Sequence, residues 1–457
     1  MLAWLHEAIA GRSESVAIAA SRSFTYTEIA RRVHQWRESA LHRIPPGAVV
    51  AFEGDYGPGA ISLLLALTLN RNVIVPLSRD VTPHHDEFAT TAEVEYWIRS
   101  VEGDPELSAT RKHASHPLYG KLRSQGNPGL VLFSSGSTGI HKCALHDMTL
   151  LLRKFAVPRH TYRTLVFLQL DHIGGINTLL YTLSNGGTAV VAHDRTPNAV
   201  CRAIAEHKVQ LLPTSPTFLN LLLLAEEYLR HDLSCLEVIT YGTEPMPAST
   251  LKRVAEAFPT VRLLQTYGLS ELGILRSQSR SSDSLWVRVG GEGYETRVIE
   301  GRLWVRAESA MLGYLNAPSP FDADGFFDTG DLVDVDGDWL RFRGRESDVI
   351  NVGGNKVYPA EVEGTLLEMP NVADAVVTAE RNPIMGQVVM ATVRLAEPEN
   401  LDAFKARMRA FCAERLSAFK VPTRVRISFE PLHSVRFKRW RHADAQHDHP
   451  CSRSNAS

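Results

Sequence analysis

Short apolar runs alternate with helical stretches along roughly the first three quarters of the chain. The runs at residues 48–52, 73–76 and 188–192 are bounded by polar or turn-forming residues and predict buried strands, as do those at 209–213, 238–241 and 261–264. Between them, residues 60–69 and 249–258 have the length and composition of helices. Such β/α alternation predicts largely parallel sheets covered by helices.

The pattern changes after Arg345. A strand at 349–357, interrupted by Gly353 and Gly354, is followed by a helix that starts at Pro359. Strands at 372–378 and 388–395, an amphipathic helix from Leu401 and a last strand at 425–429 complete an α+β unit. We therefore predict an α/β protein with a large N-terminal domain (1–345), a small mobile α+β C-terminal domain (348–443) and a disordered tail (444–457).

Composition and charge exclude several classes of protein. The 457 residues carry a net charge of −2 and are 44% hydrophobic, which is typical of a soluble globular protein and argues against a dedicated nucleic-acid or membrane-surface protein. The five cysteines form no C-x-x-C pair, so neither a disulfide framework nor a zinc site is indicated. The longest apolar runs are far shorter than the ~20 residues of a spanning helix. We expect a cytoplasmic protein without a membrane span, beginning with an amphipathic helix at 1–15 and not with a signal peptide.

The segment FSSGSTGIHK, residues 133–142, has the composition of a phosphate-binding loop. Its glycines let backbone N–H groups approach an anion, its hydroxyls add donors, and its lysine adds a positive charge. The Walker pattern does not fit, because His141 and Cys143 occupy its last glycine and its Ser/Thr position. The alternative is a polar turn after a strand. The candidate phosphate ligands are Ser134, Ser135, Gly136, Ser137, Thr138, Gly139 and Lys142.

Further motifs suited to a nucleotide follow downstream. In YGLSELG, the Tyr267 ring can stack on a base, the Ser270 hydroxyl can reach a phosphate, and the Glu271 carboxylate can hold Mg²⁺. In DGFFDTGDL, the Asp331 carboxylate suits paired ribose hydroxyls, and Arg345 follows in RGRESD. Each motif alone is weak, since Tyr267 could be a core aromatic residue and Asp331 a turn residue.

Taken together, in this order and spacing, the motifs resemble the adenylate-forming superfamily of acyl- and aryl-CoA synthetases, peptide-synthetase adenylation domains and beetle luciferases. The resemblance extends from Phe24 to Lys438 and includes GYLN (313–316) and GRESDVINVGGNKVYPAEVE. It implies that the loop wraps the ATP β- and γ-phosphates, with Ser270 at the α-phosphate and Glu271 on Mg²⁺. The adenine slot would comprise Thr243, Glu244, Pro245 and Tyr267, and the ribose would contact Asp331 and Arg345.

The resemblance also implies two half-reactions at one site. Lys438 would act in adenylation; rotation of the small domain would then bring Gly353 and Gly354 beside the pantetheine thiol of coenzyme A or of a carrier protein. The chain departs from the family pattern at Phe437, where glycine usually precedes the lysine, and at Ile140–Cys143, where the loop usually ends G-x-P-K-G. Lys420 is a less favoured candidate for the lysine. The basic and aromatic segment 436–442 could alternatively bind nucleic acid, which the net charge disfavours.

The nature of the acid follows from LQLDHIGGIN, residues 168–177. His172 matches a family position that gates the acyl pocket, although a core histidine is the alternative. Ile173 stands where amino-acid-activating relatives carry an aspartate, and a buried ammonium beside isoleucine would be unfavourable. With Gly174 and Gly175 leaving room for a flat ring, we expect an aryl or short-to-medium-chain acid. The predicted function is an AMP-forming carboxylic acid:CoA ligase; the alternatives are an enzyme loading a separate carrier protein and a non-catalytic nucleotide-binding homologue.

Overall fold

The computed structural model describes residues 14–135, 141–434 and 437–439. The predicted tail, the loop residues Gly136, Ser137, Thr138 and Gly139, and nearly all of the predicted first helix lie outside this part of the chain. The described strands are β1 Val16–Ala19, β2 Ser23–Thr25, β3 Val49–Glu53, β4 Val73–Leu77, β5 Tyr96–Arg99, β6 Glu106–Ala109, β7 Gly129–Ser135, β8 His141–Asp147, β9 Arg163–Leu165, β10 Thr188–Val190, β11 Leu211–Thr214, β12 Val238–Tyr241, β13 Arg262–Gln265, β14 Gly268–Leu269, β15 Gly273–Ile274, β16 Arg276–Ser279, β17 Trp286–Gly290, β18 Tyr294–Ile299, β19 Arg302–Ala307, β20 Gly313–Tyr314, β21 Phe327–Asp336, β22 Trp339–Arg345, β23 Ile350–Val352, β24 Asn355–Val357, β25 Val372–Asn382, β26 Gly386–Leu395 and β27 Arg424–Ser428. The α-helices are α1 Tyr26–Ser39, α2 Pro58–Leu69, α3 His85–Thr91, α4 Pro117–Gln125, α5 Met148–Arg153, α6 Ile173–Ser184, α7 Pro197–His207, α8 Pro216–Ala225, α9 Ala248–Ala257, α10 Pro359–Leu366 and α11 Leu401–Ala413.

Two seven-stranded sheets form the centre of the large domain. The first has the order β13-β12-β11-β9-β10-β1-β2 and is parallel except at β1–β2. The second has the order β20-β8-β7-β4-β3-β5-β6, parallel over its four central strands and antiparallel at both edges. One apolar cluster joins residues of both sheets with α1, α2 and α6, and α2 is buried from Gly59 to Thr68. The predicted parallel sheets are therefore confirmed in this region.

The expectation of β/α alternation up to residue 345 is wrong after α9. Within the described residues 258–345 the chain forms strands without helices, and six of them make a wholly antiparallel sheet of order β16-β17-β22-β21-β19-β18. Its strands alternate between more and less buried positions, as in RLWVRA of β19. One face is covered and the other meets solvent, which is the pattern of an antiparallel sheet.

The chain after Arg345 forms the predicted α+β arrangement. Strands β24-β23-β26-β25 are antiparallel, β27 pairs with β26 in parallel, and α10 and α11 pack on this sheet over a separate apolar core. Gly353 and Gly354 form the β23–β24 turn with φ of +55° and +85°, a conformation that favours glycine. Hydrogen bonds to the large domain run from the Asn220 amide to the Ala373 carbonyl and from the Ser249 hydroxyl to the Gly364 carbonyl, both at 3.0 Å.

The structure bears on the expected lack of a membrane span and of a disulfide framework. In the part of the chain that the structure describes, no helix combines the length and the apolar character needed to traverse a bilayer. The four described cysteines, Cys143, Cys201, Cys235 and Cys412, are all free thiols.

Candidate active site

One large cavity brings together most of the candidate residues. It has a volume of about 2290 Å³. Its lining includes Thr214, Gly242 and Thr266 at the carboxyl ends of β11, β12 and β13, where parallel sheets commonly bind ligands. The candidate residues in its lining are Ser134, Lys142, His172, Thr243, Glu244, Pro245, Tyr267, Ser270, Glu271, Asp331, Arg345 and Lys438. Residues up to 304 positions apart in the chain, Ser134 and Lys438, thus share one space, which the motifs alone could not show.

Two candidate groups are not part of the described lining. Gly353 and Gly354 lie in the β23–β24 turn and do not contact the cavity in this orientation of the small domain. Ser135 ends β7, and nothing is described of its side chain, while the loop that follows lies outside the described residues. The backbone entry and exit of the loop are nevertheless fixed, because Ser134 pairs with Lys142 across β7 and β8.

Asp331 is held by two side chains in the wall of the cavity. The Tyr267 hydroxyl donates to its Oδ2 at 2.7 Å, and Arg345 Nε lies 3.4 Å from Oδ1. Asp331 and Arg345 are direct partners across β21 and β22, which explains why two separate motifs meet. Burial raises the pKa of the Asp331 carboxyl, and the Arg345 charge opposes that rise. Tyr267 stacks on Phe342 with ring centroids 4.6 Å apart, an aromatic pair that the motifs did not indicate.

Tyr314 connects the GYLN segment to Glu271. Its hydroxyl donates to Glu271 Oε1 at 2.6 Å, and the Lys142 ammonium lies 5.1 Å from the centre of its ring. Asn316 accepts from the Cys143 N–H at 2.9 Å and donates to the His141 carbonyl at 2.8 Å. The segment therefore braces the start of β8, directly after the phosphate loop. GYLN was recognised in the sequence, but no residue of it was assigned a role.

His146 fixes the turn that carries Ser270 and Glu271. Its Nε2 lies 2.6 Å from the Ser270 carbonyl and donates to it. The ring is fully buried, and burial lowers the pKa of His146 to about 4, so the imidazole is neutral near pH 7. In the sequence, the only indication of this contact is a histidine within the largely apolar strand β8.

His172 both lines the cavity and caps a helix. Its Nδ1 accepts from the Gly174 N–H at 3.1 Å at the start of α6, so a neutral His172 carries its proton on Nε2. Gly174 lines the cavity, but the expectation that Gly175 leaves room for a ring is wrong. A Cβ on Gly175 would lie 1.9 Å from the Gln169 carbonyl oxygen, so that space is already filled.

The TEP segment, Thr243 to Pro245, is held in an unusual conformation. Thr243 has a φ of +74°, which is a rare value for a β-branched residue and marks a strained position. The Glu244 carboxylate accepts from the Thr217 N–H at 2.8 Å and from the Thr217 hydroxyl. Glu244 therefore anchors the first turn of α8 and holds the segment at the cavity wall.

Phe437 positions Lys438 at the cavity. Phe437 adopts a φ of +53°, a left-handed conformation that glycine adopts without strain and that is rare for an aromatic residue. Its ring lies 5.3 Å from the rings of both Phe167 and Phe218, and its carbonyl accepts from the Ser215 hydroxyl at 3.1 Å. The small domain is thereby docked on the aromatic core of the large one. Lys420, the alternative candidate, donates instead to Glu361 at 2.6 Å and is not among the described lining residues.

A buried ion pair supports the same segment. Arg439 Nη1 donates to Glu363 Oε2 at 2.8 Å, and Asp374 Oδ1 lies 3.7 Å from Nη2. The side chains of Arg439 and Glu363 are 2% and 0% exposed. Glu363 also accepts from the Val377 N–H at 3.0 Å, so α10, β25 and the segment after Lys438 meet at one carboxylate. This pair was missed in the sequence, where Glu363 looks like a surface residue of an amphipathic helix.

Two places among the described residues offer metal-ligand chemistry. The Glu271 carboxylate lies in the cavity and suits a hard cation such as Mg²⁺. His84, Glu87 and His141 bring their ligand atoms within 4.8 Å of one another near the end of the loop. Two imidazoles and one carboxylate suit Zn²⁺ better than Mg²⁺, so Glu271 is the better candidate for the cation of a nucleotide.

Comparison with known proteins identifies the family of the chain. The family model of the AMP-binding enzyme matches residues 5–315, and that of the AMP-binding enzyme C-terminal domain matches residues 361–433. The chain is 29% identical over 325 residues to the indoleacetate–CoA ligase of Aromatoleum aromaticum, covering 65% of this chain and 63% of that protein. It is 27% identical over 459 residues to the 4-coumarate–CoA ligase-like 9 of Arabidopsis thaliana, covering 88% and 81%.

Solved structures show the same fold. The anthranilate CoA ligase AuaEII in complex with anthranoyl-AMP superposes with a TM-score of 0.79 at 20% identity, over 96% of this chain and 95% of that chain. The amide bond synthetase Mcba from Marinactinospora thermotolerans, a K483A mutant, superposes with a TM-score of 0.78 at 23% identity, over 95% and 96%. The family models together span both domains and most of the chain. This protein is therefore a member of the AMP-binding, adenylate-forming enzyme family.

Proposed function

We propose that the protein is an AMP-forming ligase that joins a carboxylic acid to coenzyme A, with ATP as the energy source. The observation that carries the proposal is the shared cavity, which is lined by Lys438 of the small domain and by His172, Glu271 and Asp331 of the large one. Such a cavity supplies places for a cation, a carboxylate and a nucleotide at once. A carboxylate alone is a poor acyl donor, and adenylation provides it with a leaving group.

In the first half-reaction, a carboxylate oxygen attacks the α-phosphorus of ATP and the bond to the β-phosphate oxygen breaks. Pyrophosphate leaves and the acyl-adenylate remains. Lys438 places a positive charge beside the reacting phosphate, while Asp331 and Arg345 hold the ribose and Tyr267 and the TEP segment hold the adenine. These groups position the reactants and stabilise developing charge, which is how proteins commonly assist phosphoryl transfer.

The residues around Glu271 fit a magnesium ion. Tyr314 orients the carboxylate through Oε1, and Ser270 and Lys142 offer neighbouring contacts to phosphate. Mg²⁺ is usually bound by one or two carboxylates together with phosphate oxygens and water. When bound, it would neutralise charge on the triphosphate. Glu271, oriented by Tyr314, would hold the ion close to the phosphates.

In the second half-reaction, the thiol of coenzyme A attacks the acyl carbon. A thioester bond forms, the bond from the acyl carbon to the phosphate oxygen of AMP breaks, and the thiol proton passes to solvent. We propose that the small domain, which begins near residue 348, rotates at the short helical turn Glu346–Asp348 and brings Gly353 and Gly354 to the thiol. The departure of Phe437 from the cavity wall is part of this step.

An aromatic acid is the substrate class best supported. Relatives and structural neighbours carry names such as indoleacetate–CoA ligase and anthranilate CoA ligase, which favours an aryl acid and coenzyme A over a carrier protein. Ile173, 3% exposed at the start of α6, offers no partner for the ammonium group of an amino acid. The free thiols of the described cysteines fit a reducing cytoplasm.

Exchange of labelled pyrophosphate into ATP tests the proposal. We expect exchange that depends on an added aryl or aliphatic acid, followed by AMP and a thioester when coenzyme A is supplied without any second protein. Exchange without thioester would indicate that a carrier protein is the acceptor. Absence of exchange with the whole panel of acids, despite measurable ATP binding, would favour a non-catalytic nucleotide-binding protein.

Replacing Tyr314 with phenylalanine should weaken the magnesium dependence of the exchange reaction. The change removes the hydrogen bond that orients Glu271, and loss of such an orienting contact commonly lowers metal affinity by about 10–100-fold. We expect the Mg²⁺ concentration at half-maximal exchange to rise by about tenfold. Tyr294→Phe, which removes a hydroxyl bonded to Ser309, is the matched control. An equal effect in both variants would contradict a role for Tyr314 at the metal.

Replacing Phe437 with glycine should separate the two half-reactions. Glycine removes the strain of the left-handed backbone, roughly 1–2 kcal/mol, but deletes two aromatic contacts worth about 0.5–1.5 kcal/mol each together with their buried area. We expect roughly fivefold slower exchange, a net loss of about 1 kcal/mol, with undiminished thioester formation from supplied acyl-adenylate. Phe437→Leu retains apolar volume, and its exchange rate should lie between those of the wild type and Phe437→Gly. Equal slowing of both steps would show that Phe437 does not favour one orientation.

A further inference from the structure

One face of α6 forms a wall along the cavity. Gly174, Asn177, Thr178 and Tyr181 line the cavity and follow the i, i+3, i+4, i+7 spacing of a single helical face. At 1.5 Å per residue the wall runs about 10 Å from the His172 end to Tyr181. The cavity therefore continues well beyond the place where the reacting carboxylate would lie.

The far end of this wall is cationic. Lys154, Arg159 and Arg276 line the cavity, and the Arg159 charge acts on the Tyr181 hydroxyl at this end of the wall. The charged groups that act most strongly on Lys154 are the two arginines. Lys154 Nζ donates to the Ile274 carbonyl at 2.8 Å, which points the ammonium at the turn that follows Glu271. The acid nearest to Arg276 is Glu292, 3.9 Å away with a side chain that is 89% exposed. None of the acids in the described cavity lining is among the charged groups that act on Lys154; these acids are Asp80, Asp171, Glu244, Glu271, Asp328, Asp331, Glu346 and Asp348.

These like charges disfavour one another without an anion. Burial, and then Arg276 and Arg159, lower the pKa of Lys154 to about 7, so the ammonium is only partly populated near neutral pH. Lysines, unlike arginines, readily change their charge in such surroundings. An anionic group between these side chains would accept charge-assisted hydrogen bonds and restore the charged form. The geometry thus provides an anion-binding place at a fixed distance from His172.

We propose that the acyl pocket takes an acid with a second anionic group at its far end, of the class of an aryl acid bearing a distal carboxylate, bound by Lys154 and Arg276. The inference rests on the proposed function and specifies its substrate. The first carboxylate is adenylated beside Lys438, while the second stays ionised about 10 Å away. A neutral acid would leave the charges of Lys154 and Arg276 without a partner. A site that leaves its polar groups unpaired rejects the wrong substrate more strongly than one that differs only in apolar contacts.

Three probes that share a 3-phenylpropanoate frame test the charge requirement. They are 3-phenylpropanoate, 3-(4-carboxyphenyl)propanoate and 3-(4-(aminomethyl)phenyl)propanoate, which carry a neutral, an anionic and a cationic distal end. With the wild-type protein we expect kcat/KM for acid-dependent pyrophosphate exchange to be at least tenfold higher for the anionic probe than for the neutral one. The cationic probe should be the poorest.

Two variants locate the effect. In Lys154→Met, which keeps the side-chain length without the charge, the ratio of kcat/KM between the anionic and neutral probes should fall towards one. Arg276→Met should reduce the same ratio if Lys154→Met fails to fold. Arg153→Met is the matched control, because Arg153 precedes Lys154, pairs with Glu308 at 2.8 Å and is 56% exposed outside the cavity lining. Its ratio should equal that of the wild type.

The outcomes separate this inference from the proposed function. Exchange with the neutral probe that equals or exceeds exchange with the anionic probe would overturn the distal anion site and leave the ligase intact. An unchanged ratio in both Lys154→Met and Arg276→Met would also overturn it. If no probe supports exchange, calorimetry can measure how tightly the anionic and neutral probes bind to the ATP-loaded wild type and to Lys154→Met. Tighter binding of the anionic probe in the wild type alone supports the site. Equal binding of the two probes refutes it.

Discussion

Replacing Lys438 with alanine is expected to slow acid-dependent pyrophosphate exchange by about 10²–10³-fold, the usual effect of removing one group that stabilises transition-state charge. Lys438 lines the same cavity as Glu271 and Asp331. It lies on a turn in which the Phe437 N–H donates to the Ser434 carbonyl at 2.9 Å. Exchange of labelled pyrophosphate measures the first half-reaction. Thioester formation from supplied acyl-adenylate, which does not need this charge, should remain within a few-fold of the wild-type rate.

Lys420→Ala serves as the control for this experiment. Lys420 carries the same charge on the same domain, but it pairs with Glu361 on the surface of α10. We expect its exchange rate to stay close to that of the wild type. A larger loss in Lys420→Ala than in Lys438→Ala would reverse the assignment of the lysine. Equal loss of both half-reactions in Lys438→Ala would point to a folding defect, and it would remove the case for a role in adenylation.

Replacing Glu363 with alanine should destabilise the small domain by about 3–5 kcal/mol, because it leaves the Arg439 guanidinium buried without its closest partner. Asp374, at 3.7 Å, is the remaining acid near that charge. The loss is best measured by native-state amide hydrogen exchange in β25 and β26, which reports local stability in a chain of two domains. Because Arg439 follows Lys438, pyrophosphate exchange should slow as well.

The matched control is Glu361→Ala on the same helix. Glu361 is 38% exposed and pairs with the Lys420 ammonium at 2.6 Å, and exposed pairs of this kind contribute about 0–1 kcal/mol. We expect little change in amide exchange in β25 and β26. If Glu363→Ala and Glu361→Ala lower protection equally, the Arg439–Glu363 pair does not hold the small domain together.

Much of the fold was predictable because its signals are local. The apolar runs at 73–76 and 238–241 correspond to β4 and β12. The predicted strand at 349–357 is interrupted at Gly353–Gly354, between β23 and β24, as expected. The antiparallel sheet of β16–β19, β21 and β22 was not predicted, since its half-buried strands alternate with period two and lack the continuous apolar runs of the parallel strands. Local pattern identified the strands that are buried on both faces more readily than those buried on one.

The site was predictable to the extent that its residues lie in recognisable motifs. Tyr267, Glu271 and Asp331 were identified from motifs and line one cavity, but the supporting contacts of Tyr314, His146 and Glu363 depend on partners 43 to 124 residues away. Such pairings follow from the packing of distant elements and leave no local pattern. Phe437 shows the converse case: the sequence suggested an unfavourable replacement of glycine, but with a φ of +53° this residue adopts the left-handed conformation that glycine favours.

The pairing of Asp331 with Arg345 has a mechanical consequence. Arg345 is the last residue of β22, and the next three residues, Glu346–Asp348, form the short helical turn through which the chain passes to β23. On the proposed assignment, the ribose contact and the pivot of the small domain share one strand end. Release of AMP would then remove a contact at the residue next to the pivot. The small domain would be free to return to the orientation that binds the next ATP, and no separate signal would be needed.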